Sequence, residues 1–451
     1  MAGFAPLRFG FIISRMRYWL YSFGCRTNQA DGDAMADALE TAGHVPAEDP
    51  ALADVLILNS CTVTHRSDHD VRKMLHRLHR ENPSARIVLS GCYAERAADF
   101  LRGQDGVWAV LGTGQRLDLP RLLGAPAAVE RPAPEPSAGP APGVLADVPV
   151  AWRGHTRPHV KVQDGCDAAC AYCIVPSVRG PGRSAPLKQV VERIRALSDQ
   201  GVREVTLTGI HLGRYGQTLD PPVPLARLLA EILAACSLDR LRLSSLEPLE
   251  FDEALLRLVA AEPRIAPHFH VPLQSGSAAV LRRMRRPYSP AEYAAICRRL
   301  IEARPGAALG ADVLTGFPGE TAAEEAETLA FVESLPLAYL HVFPFSARPG
   351  TEAAGLPGAL APDEVRRRAA RLRELGTRKR LAYRRGWIGR PLPGLSLHAT
   401  AEPPATAVMT ENYIEVAVPG VRLPGNTPVT VSIEHVDAGG RCRGRIPDGE
   451  P

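Results

Sequence analysis

Three cysteines lie close together in the stretch "CDAACAYC", as Cys166, Cys170 and Cys173. A structural zinc site closes its tetrahedron with four protein ligands, and this stretch offers no fourth. A 4Fe-4S cluster that is held by three thiolates instead keeps one iron open to an added ligand. The spacing therefore favours such a cluster, with Tyr172 packed against whatever binds there. A zinc site or an incidental group of cysteines is the alternative.

Three further cysteines are distant in the sequence but follow segments of the same kind. Cys25, Cys61 and Cys92 each end a short run that predicts a buried strand, and each precedes a helical pattern. Strands and helices that alternate in this way form an open parallel sheet, whose carboxyl edge carries the ligand-binding loops. We expect the three cysteines to meet at that edge. Free cysteines are also common packing residues, which is the alternative.

The elements that position these cysteines predict an α/β chain of several domains. The open parallel α/β domain is predicted over residues 16–122, and a Pro- and Ala-rich linker over 123–150. Six strand–helix alternations then predict a parallel, partial (β/α)6 barrel over 151–384, with its working loops after the strands. Cys166 directly follows the first of these strands. The β-rich tail, over 385–446, predicts a small β-barrel.

Composition excludes some classes of protein. The chain has 451 residues, a formal net charge of +4 and nine cysteines. No run of about 18 apolar residues is present, so a membrane span is not expected. Arg8, Arg15 and Arg17 interrupt the apolar N-terminal stretch, and no small-residue cleavage site follows, so the chain is interpreted as cytoplasmic. The uneven grouping of an odd number of cysteines favours metal or redox chemistry in a reducing compartment.

The stretch "CDAACAYC" resembles the CxxxCxΦC signature of the radical S-adenosylmethionine superfamily. The resemblance implies that the open iron chelates S-adenosylmethionine, and that one-electron reduction yields a 5'-deoxyadenosyl radical. The motifs "SFGCRTNQ", "NSCTVT" and "SGCYAE" extend the resemblance to the methylthiotransferases over nearly the whole chain. In that family the N-terminal cysteine triple, here Cys25, Cys61 and Cys92, holds a second 4Fe-4S cluster that carries the sulfur or methylthio group.

Within that family, fragments such as "LTGIHLGRYG", "ADVLTGFPGET" and "HVFPFSARPGT" are most similar to the branch that modifies threonylcarbamoyladenosine beside the tRNA anticodon. The predicted function is replacement of the C2 hydrogen of that base by a methylthio group, with no catalytic residue beyond the cluster ligands. A ring C–H of this kind lacks the acidity that a general base could exploit, which is the case for radical chemistry. Sister branches act on isopentenyladenosine in tRNA or on an aspartate of a ribosomal protein. A non-enzymatic metal-cluster RNA-binding protein is the remoter alternative.

The resemblance also suggests cofactor contacts on the loops after the barrel strands. For S-adenosylmethionine we expect Gly209 near the methionyl amino group, Ser244 and Glu247 near the ribose, and Asp312 and Gly316 near the adenine, besides Tyr172. Turn chemistry and helix capping are the alternative role for these residues. A low-potential electron donor such as flavodoxin or ferredoxin is implied as a partner.

A basic segment precedes the β-rich tail, which resembles the TRAM domain of this family. Residues 366–390 contain eleven Lys or Arg residues and one acidic residue, Glu374. Phosphate contact with the tRNA anticodon arm is the prediction, and a solvated helix face is the alternative. The expected RNA-binding residues are Arg378, Lys379, Arg380, Arg384 and Arg385, with Tyr413 stacking on a base.

The remaining cysteines and the clustered histidines need no chemistry. His65 and His69 are four residues apart, but a solvated helix face explains them better than a metal site does. Cys236 and Cys297 lie in apolar helical patterns and are predicted to be packing residues. Cys442 lies in the polar tail and is predicted to be an exposed, inert thiol.

Overall fold

The computed structural model describes residues 15–124, 143–145, 148–400 and 404–447. The chain divides into two compact units, Met1–Pro149 and Val150–Pro451. Most of the predicted linker, residues 123–150, lies outside the described residues. Among the described helices, none combines the length and the apolar composition that a membrane crossing would need.

The first unit contains a five-stranded sheet with the order β2-β1-β3-β4-β5, in which every neighbouring pair is parallel. All six residues of its central strand β3 are buried, as expected of a strand that is covered on both faces. The strands are β1 (Arg17–Ser22), β2 (Val45–Pro46), β3 (Val55–Ser60), β4 (Arg86–Gly91) and β5 (Val107–Leu111). The helices are α1 (Arg26–Thr41), α2 (His65–Glu81), α3 (Cys92–Arg96), α4 (Ala98–Arg102) and α5 (Leu119–Gly124).

The second unit begins with a barrel-like arrangement of six parallel strands, as predicted. A four-stranded sheet, which includes the short antiparallel strand β7, has the order β7-β6-β8-β9, and a three-stranded sheet has the order β10-β11-β12. A parallel bridge between Leu241 and Ile265 links the two sheets. The strands are β6 (His159–Asp164), β7 (Arg183–Ser184), β8 (Glu204–Gly209), β9 (Arg240–Leu243), β10 (His268–His270), β11 (Ala308–Thr315) and β12 (Tyr339–Pro344).

Helices alternate with these strands, and capping residues set several of their starts. The side chains of Ser289 and Thr321 each accept a hydrogen bond from the backbone amide of the third residue of the following helix. That residue is a Glu in both helices, and its carboxylate accepts a hydrogen bond from the backbone amide of the Ser or Thr. The helices are α6 (Val175–Arg179), α7 (Leu187–Asp199), α8 (Leu225–Ala235), α9 (Glu253–Ala261), α10 (Ala278–Arg283), α11 (Pro290–Ala303), α12 (Ala322–Ser334) and α13 (Pro362–Arg385).

The tail forms a closed five-stranded barrel with the order β13-β14-β15-β17-β16, which confirms the predicted β-barrel. Its strands are β13 (Pro391–Thr400), β14 (Ala405–Thr410), β15 (Glu415–Pro419), β16 (Pro428–Val436) and β17 (Cys442–Arg445). The prediction of an exposed Cys442 is wrong, because this residue is 2% exposed and packs in the barrel core. Cys236 and Cys297 are buried as predicted.

Candidate functional site

The first cysteine triple lies at the carboxyl edge of the N-terminal sheet. Cys25 follows β1 and caps α1, Cys61 follows β3, and Cys92 begins α3 after β4. Because the strand order reverses between β1 and β3, this edge is the topological switch point at which open α/β sheets bind ligands. The 16-residue helix α1 also directs the positive end of its dipole toward Cys25.

Local packing brings these three sulfurs together. Burial, with smaller contributions from the nearby Cys25 and Cys92, raises the pKa of Cys61 to about 11. Gly24 has φ +80°, and a side-chain carbon there would lie 2.7 Å from the Cys61 sulfur. The side-chain amide of Asn28 donates to the Asn59 carbonyl at 3.0 Å, which fixes the start of α1 against β3. Three close thiols, of which Cys61 and Cys92 are buried and Cys25 is exposed, fit a cationic group that takes up their charge, as an iron–sulfur cluster does.

The second triple occupies the loop after β6. The Cys166 amide donates to the Gly180 carbonyl at 3.0 Å, and the Cys173 amide donates to the Cys170 carbonyl at 3.1 Å. Burial, with smaller contributions from the neighbouring Cys170 and Cys166, raises the pKa of Cys173 to about 12. Gly165 has φ +73° and approaches the Pro181 carbonyl too closely for any side chain. This donor set also fits a cluster with three thiolate ligands.

Two cationic side chains contact this loop. Nδ1 of His211 lies 3.4 Å from the Cys166 sulfur, and its Nε2 lies 2.5 Å from Oε1 of Glu250. Burial alone would lower the pKa of His211, but these two partners raise it to about 10. Arg286 donates to the Cys170 sulfur at 3.2 Å and pairs with Glu247. Burial raises the pKa of Glu247, and Arg286 opposes that shift.

A cavity of about 490 Å³ opens beside this loop. Its lining combines acidic and basic side chains with the backbone of the cysteine loop, as a zwitterionic ligand would require. The lining residues are Asp167, Ala168, Ala169, Cys170, His211, Arg214, Gln217, Glu247, Leu249, Glu250, Arg285, Arg286, Pro287 and Tyr288.

The predicted S-adenosylmethionine contacts are spread over a wider region than this cavity. Glu247 lines it, whereas Gly209 packs against the side chain of Gln163, and Ser244, the residue after β9, is buried. Tyr172 is partly buried and packs against an apolar cluster that includes Phe317. These contacts remain predictions.

Two other predicted contacts lie further along the barrel. Asp312 lies on β11 between His270 and His341. Gly316 has φ +78° in the turn after β11, where a side-chain carbon would lie 2.7 Å from Val365. Close packing on α13 therefore accounts for this glycine.

Several cations of the predicted RNA surface are engaged within the protein. Arg378 pairs with Glu333 at 2.9 Å, and Lys379 donates to the carbonyls of Glu333 and Leu335, both at 2.8 Å. Arg384 donates to the Gly440 carbonyl of the small barrel, and Arg380 lies beside the same glycine. These contacts attach α13 to α12 and to the tail.

Arg385 and Tyr413 differ in their availability to RNA. Arg385 is exposed near the end of α13. The ring of Tyr413 stacks on His268 at 4.1 Å, with Arg157 and Arg242 over it, so stacking on a base would require these contacts to break.

Sequence reasoning did not find His211, Arg286, His270 or His341. His211 lies two residues after the predicted Gly209, in "LTGIHLG", and Arg286 lies in "MRRPY" far from the cysteine loop in sequence. A histidine directly after a barrel strand was an available signal for His211. Arg286 carried none, because its contact with Cys170 depends on the tertiary fold.

Comparison with known proteins identifies the parts of the chain. Residues 17–112 match the model of the uncharacterized protein family UPF0004, and residues 160–332 match that of the radical SAM superfamily. The chain is 34% identical to the threonylcarbamoyladenosine tRNA methylthiotransferase MtaB of Aquifex aeolicus, over 91% of this chain and 98% of that protein. It is 33% identical to MtaB of Bacillus subtilis, over 89% of this chain and 90% of that protein.

A third relative belongs to another branch. The tRNA-2-methylthio-N(6)-dimethylallyladenosine synthase of a Parafrankia species is 35% identical, over 84% of this chain and 77% of that protein. Among solved structures, the radical S-adenosylmethionine methyltransferase TsrM of Kitasatospora setae, with cobalamin and a [4Fe-4S] cluster bound, is similar in fold. Its TM-score is 0.54 at 17% identity, over 75% of this chain and 77% of that one.

The fold and the cysteine loop after β6 define a radical S-adenosylmethionine enzyme. The chain belongs to the radical S-adenosylmethionine methylthiotransferase family. The cofactors of this family are two 4Fe-4S clusters and S-adenosylmethionine. Cys25, Cys61 and Cys92 would hold one cluster, and Cys166, Cys170 and Cys173 would hold the other.

Proposed function

We propose that this protein replaces the C2 hydrogen of N6-threonylcarbamoyladenosine, beside the tRNA anticodon, with a methylthio group. The observation that carries the proposal is the presence of two separate three-cysteine sites, one at the switch point of the first unit and one after β6 in the second. The match covers 98% of the Aquifex aeolicus MtaB but 77% of the dimethylallyladenosine synthase of Parafrankia. This more complete match supports threonylcarbamoyladenosine as the substrate.

When bound, the cofactors of the second unit supply a carbon radical, which can remove a hydrogen atom from an unactivated C–H bond. The residues of this chain hold and orient those cofactors. Arg286 joins Cys170 to the Glu247 carboxylate, and His211 joins Cys166 to Glu250, so both sides of the cysteine loop are held by ion pairs. The predicted S-adenosylmethionine contacts Tyr172, Gly209, Ser244, Glu247, Asp312 and Gly316 are part of this proposal.

The proposal includes two partners. The tRNA anticodon arm would bind the basic face of α13 and the small barrel, where Arg385 is exposed. A low-potential electron donor such as flavodoxin or ferredoxin would reduce the cluster. Activity on dimethylallyladenosine or on a ribosomal-protein aspartate is the runner-up, because the cysteine set does not distinguish the branches.

The test is an anaerobic assay of the reconstituted protein with S-adenosylmethionine, a chemical reductant and purified tRNA, followed by mass analysis of the nucleosides. We expect 2-methylthio-N6-threonylcarbamoyladenosine from the parent and none from Cys170→Ala or Cys61→Ala. Cys236→Ala removes a buried sulfur outside both sites and serves as the control.

Each other outcome excludes a part of the proposal. A methylthio product only on dimethylallyladenosine or on the ribosomal protein would assign a sister branch. A protein that does not cleave S-adenosylmethionine on reduction would be a metal-cluster RNA-binding protein and not an enzyme. Product from Cys170→Ala would contradict the radical mechanism.

A further inference from the structure

The concave side of the barrel carries polar side chains in two layers. In the lower layer, Nε2 of His268 on β10 lies 2.8 Å from the hydroxyl of Tyr339 on β12, and Tyr413 from the small barrel stacks on the His268 ring. The upper layer consists of His270 and His341, two residues further along β10 and β12, and of Asp312 on β11 between them. Because these strands point toward the cysteine loop, the upper layer is the one nearer to the radical chemistry.

The upper layer is built around one carboxylate. Oδ1 of Asp312 lies 3.1 Å from Nε2 of His270 and 3.3 Å from Nδ1 of His341. Nδ1 of His270 lies 2.7 Å from the hydroxyl of Ser245, so both nitrogens of this ring face a polar neighbour. The two histidines keep the pKa of Asp312 below its usual range although burial opposes this, so the carboxylate is ionised at neutral pH.

His341 is the member of this layer that reaches open space. Its side chain is 55% exposed, compared with 22% for Asp312 and 9% for His270. Leu340, the preceding residue on β12, packs against Gly376 of α13, so His341 points to the opposite, concave face. Nδ1 faces Asp312, and Nε2 is the second nitrogen of this largely exposed ring.

A chain of contacts connects this layer with the cysteine loop. The amide of Leu246 donates to the His270 carbonyl at 3.0 Å, and the next residue, Glu247, pairs with Arg286. Arg286 in turn donates to the Cys170 sulfur at 3.2 Å. The layer and the cofactor cavity therefore share the loop after β9, on one working face.

We propose that His341, oriented by Asp312, binds the polar N6 substituent of the substrate adenine and selects a threonylcarbamoyl group over a dimethylallyl group. This inference rests on the proposed function. The threonylcarbamoyl group carries N–H groups, a hydroxyl and a carboxylate, so Nε2 of His341 has a partner whether the ring is neutral and accepts or is charged and donates. The dimethylallyl group offers no hydrogen-bonding atom.

The physical basis of the selection is the cost of leaving polar groups without partners. An apolar substituent would displace water from His341 and from the ionised Asp312 without replacing the lost hydrogen bonds. A site that is built to hydrogen-bond its substrate rejects an analogue that lacks the group far more strongly than an apolar pocket rejects a polar one. His341 is thus a specificity-determining residue, and Asp312 is a positioning residue.

The test compares two tRNA substrates that carry either N6-threonylcarbamoyladenosine or N6-dimethylallyladenosine, and measures kcat/KM for each under anaerobic conditions. For His341→Leu we expect kcat/KM on the first substrate to fall about tenfold or more, with no fall on the second. His341→Gln keeps a polar group and should retain part of the preference. His76→Leu replaces an exposed histidine of α2 and serves as the control.

The outcomes separate the inference from the proposed function. A parent that does not modify threonylcarbamoyladenosine refutes the proposed function. A parent that does so, together with a His341→Leu variant that loses activity on both substrates equally, overturns the inference alone. Because His341, His270 and Asp312 could also hold a metal ion, the metal content of the reconstituted protein is measured too. One zinc or manganese ion per chain that disappears in His341→Leu would make this layer a metal site and overturn the inference.

Discussion

Gly24 and Cys61 approach so closely that a side-chain carbon on residue 24 would lie 2.6 Å from the Cys61 Cβ and 2.7 Å from its sulfur. The position also has φ +80°, which L-residues rarely adopt. The first cysteine site therefore depends on a residue that binds nothing itself.

Gly24→Ala is expected to displace Cys61 and to abolish cluster binding in the first unit. Iron content after anaerobic reconstitution should fall from about eight atoms per chain to about four. Gly43→Ala is the matched control, since Gly43 has φ +90° in the same unit but no atom within 4 Å of the added carbon. Full iron content in Gly24→Ala would show that the site adapts to the added carbon.

His211→Leu removes the contact with the Cys166 sulfur. Hydrogen bonds to cluster sulfurs raise the reduction potential, so the variant should show a more negative potential for the cluster of the second unit. The measurement is a redox titration followed by electron paramagnetic resonance, in a background that lacks Cys25, Cys61 and Cys92. An unchanged potential would mean that His211 only supports the loop, whereas a smaller shift in His211→Asn would support the hydrogen bond.

Glu204 is fully buried between Arg240 and Arg242, at 2.8 Å from each. Burial alone would raise its pKa, but the two guanidinium groups hold the pKa below the usual value. Glu204→Gln leaves two buried cations without their counter-charge and should cost about 3–5 kcal/mol of unfolding free energy at pH 7.

The same ion pair sets a pH dependence. A carboxylate with a depressed pKa stabilises the folded state above its unfolded pKa, and the contribution is lost as the pH falls. The difference between parent and Glu204→Gln in urea-induced unfolding should therefore shrink below about pH 4. Asp239→Asn breaks an exposed pair with Arg203 and should change stability by at most about 1 kcal/mol. A pH-independent difference for Glu204→Gln would argue against the ionised triad.

Substitution of Lys379 on α13 should lower the stability of the protein, whereas substitution of Arg385 on the same helix should weaken tRNA binding. Burial lowers the pKa of Lys379, whose ammonium closes the end of α12, so Lys379→Ala should lower the unfolding temperature. Arg385 is exposed, so Arg385→Ala should leave stability unchanged and weaken tRNA binding, with a salt slope reduced by about one. Thermal unfolding measures the first effect, and filter binding at several salt concentrations measures the second. Unchanged tRNA affinity in Arg385→Ala would remove this residue from the RNA surface.

The sequence was informative where function depends on residue type and local position. Cys25, Cys61 and Cys92 each come within three residues of the end of a strand, and a parallel sheet gathers such positions at one edge, so their meeting could be predicted without tertiary detail. The second triple could be predicted from its spacing within one loop. Cys442 was mispredicted because the burial of a four-residue strand depends on its pairing with β15 and β16, which are distant partners.

Counts of charge and aromatic residues were less informative for the same reason. Nothing in the basic run indicates that Arg378 and Lys379 are engaged by α12, because the partner Glu333 lies on another helix. Tyr413 has φ +66° in the turn between β14 and β15 and meets His268 of the central barrel. His341 resembles any histidine of a strand until Asp312 is seen beside it.

The stack of Tyr413 on His268 shows that the C-terminal barrel also contacts the central barrel. Arg242 lies over the same ring and donates to the Thr410 carbonyl at 3.5 Å. The turn after β14 therefore packs against the amino ends of the central strands. A chain that ended after α13 would keep all six cluster cysteines but would lose the ring that covers His268 and Arg242 at these amino ends. We expect such a chain to admit more water to these amino ends, in a barrel whose other end must keep water away from a radical.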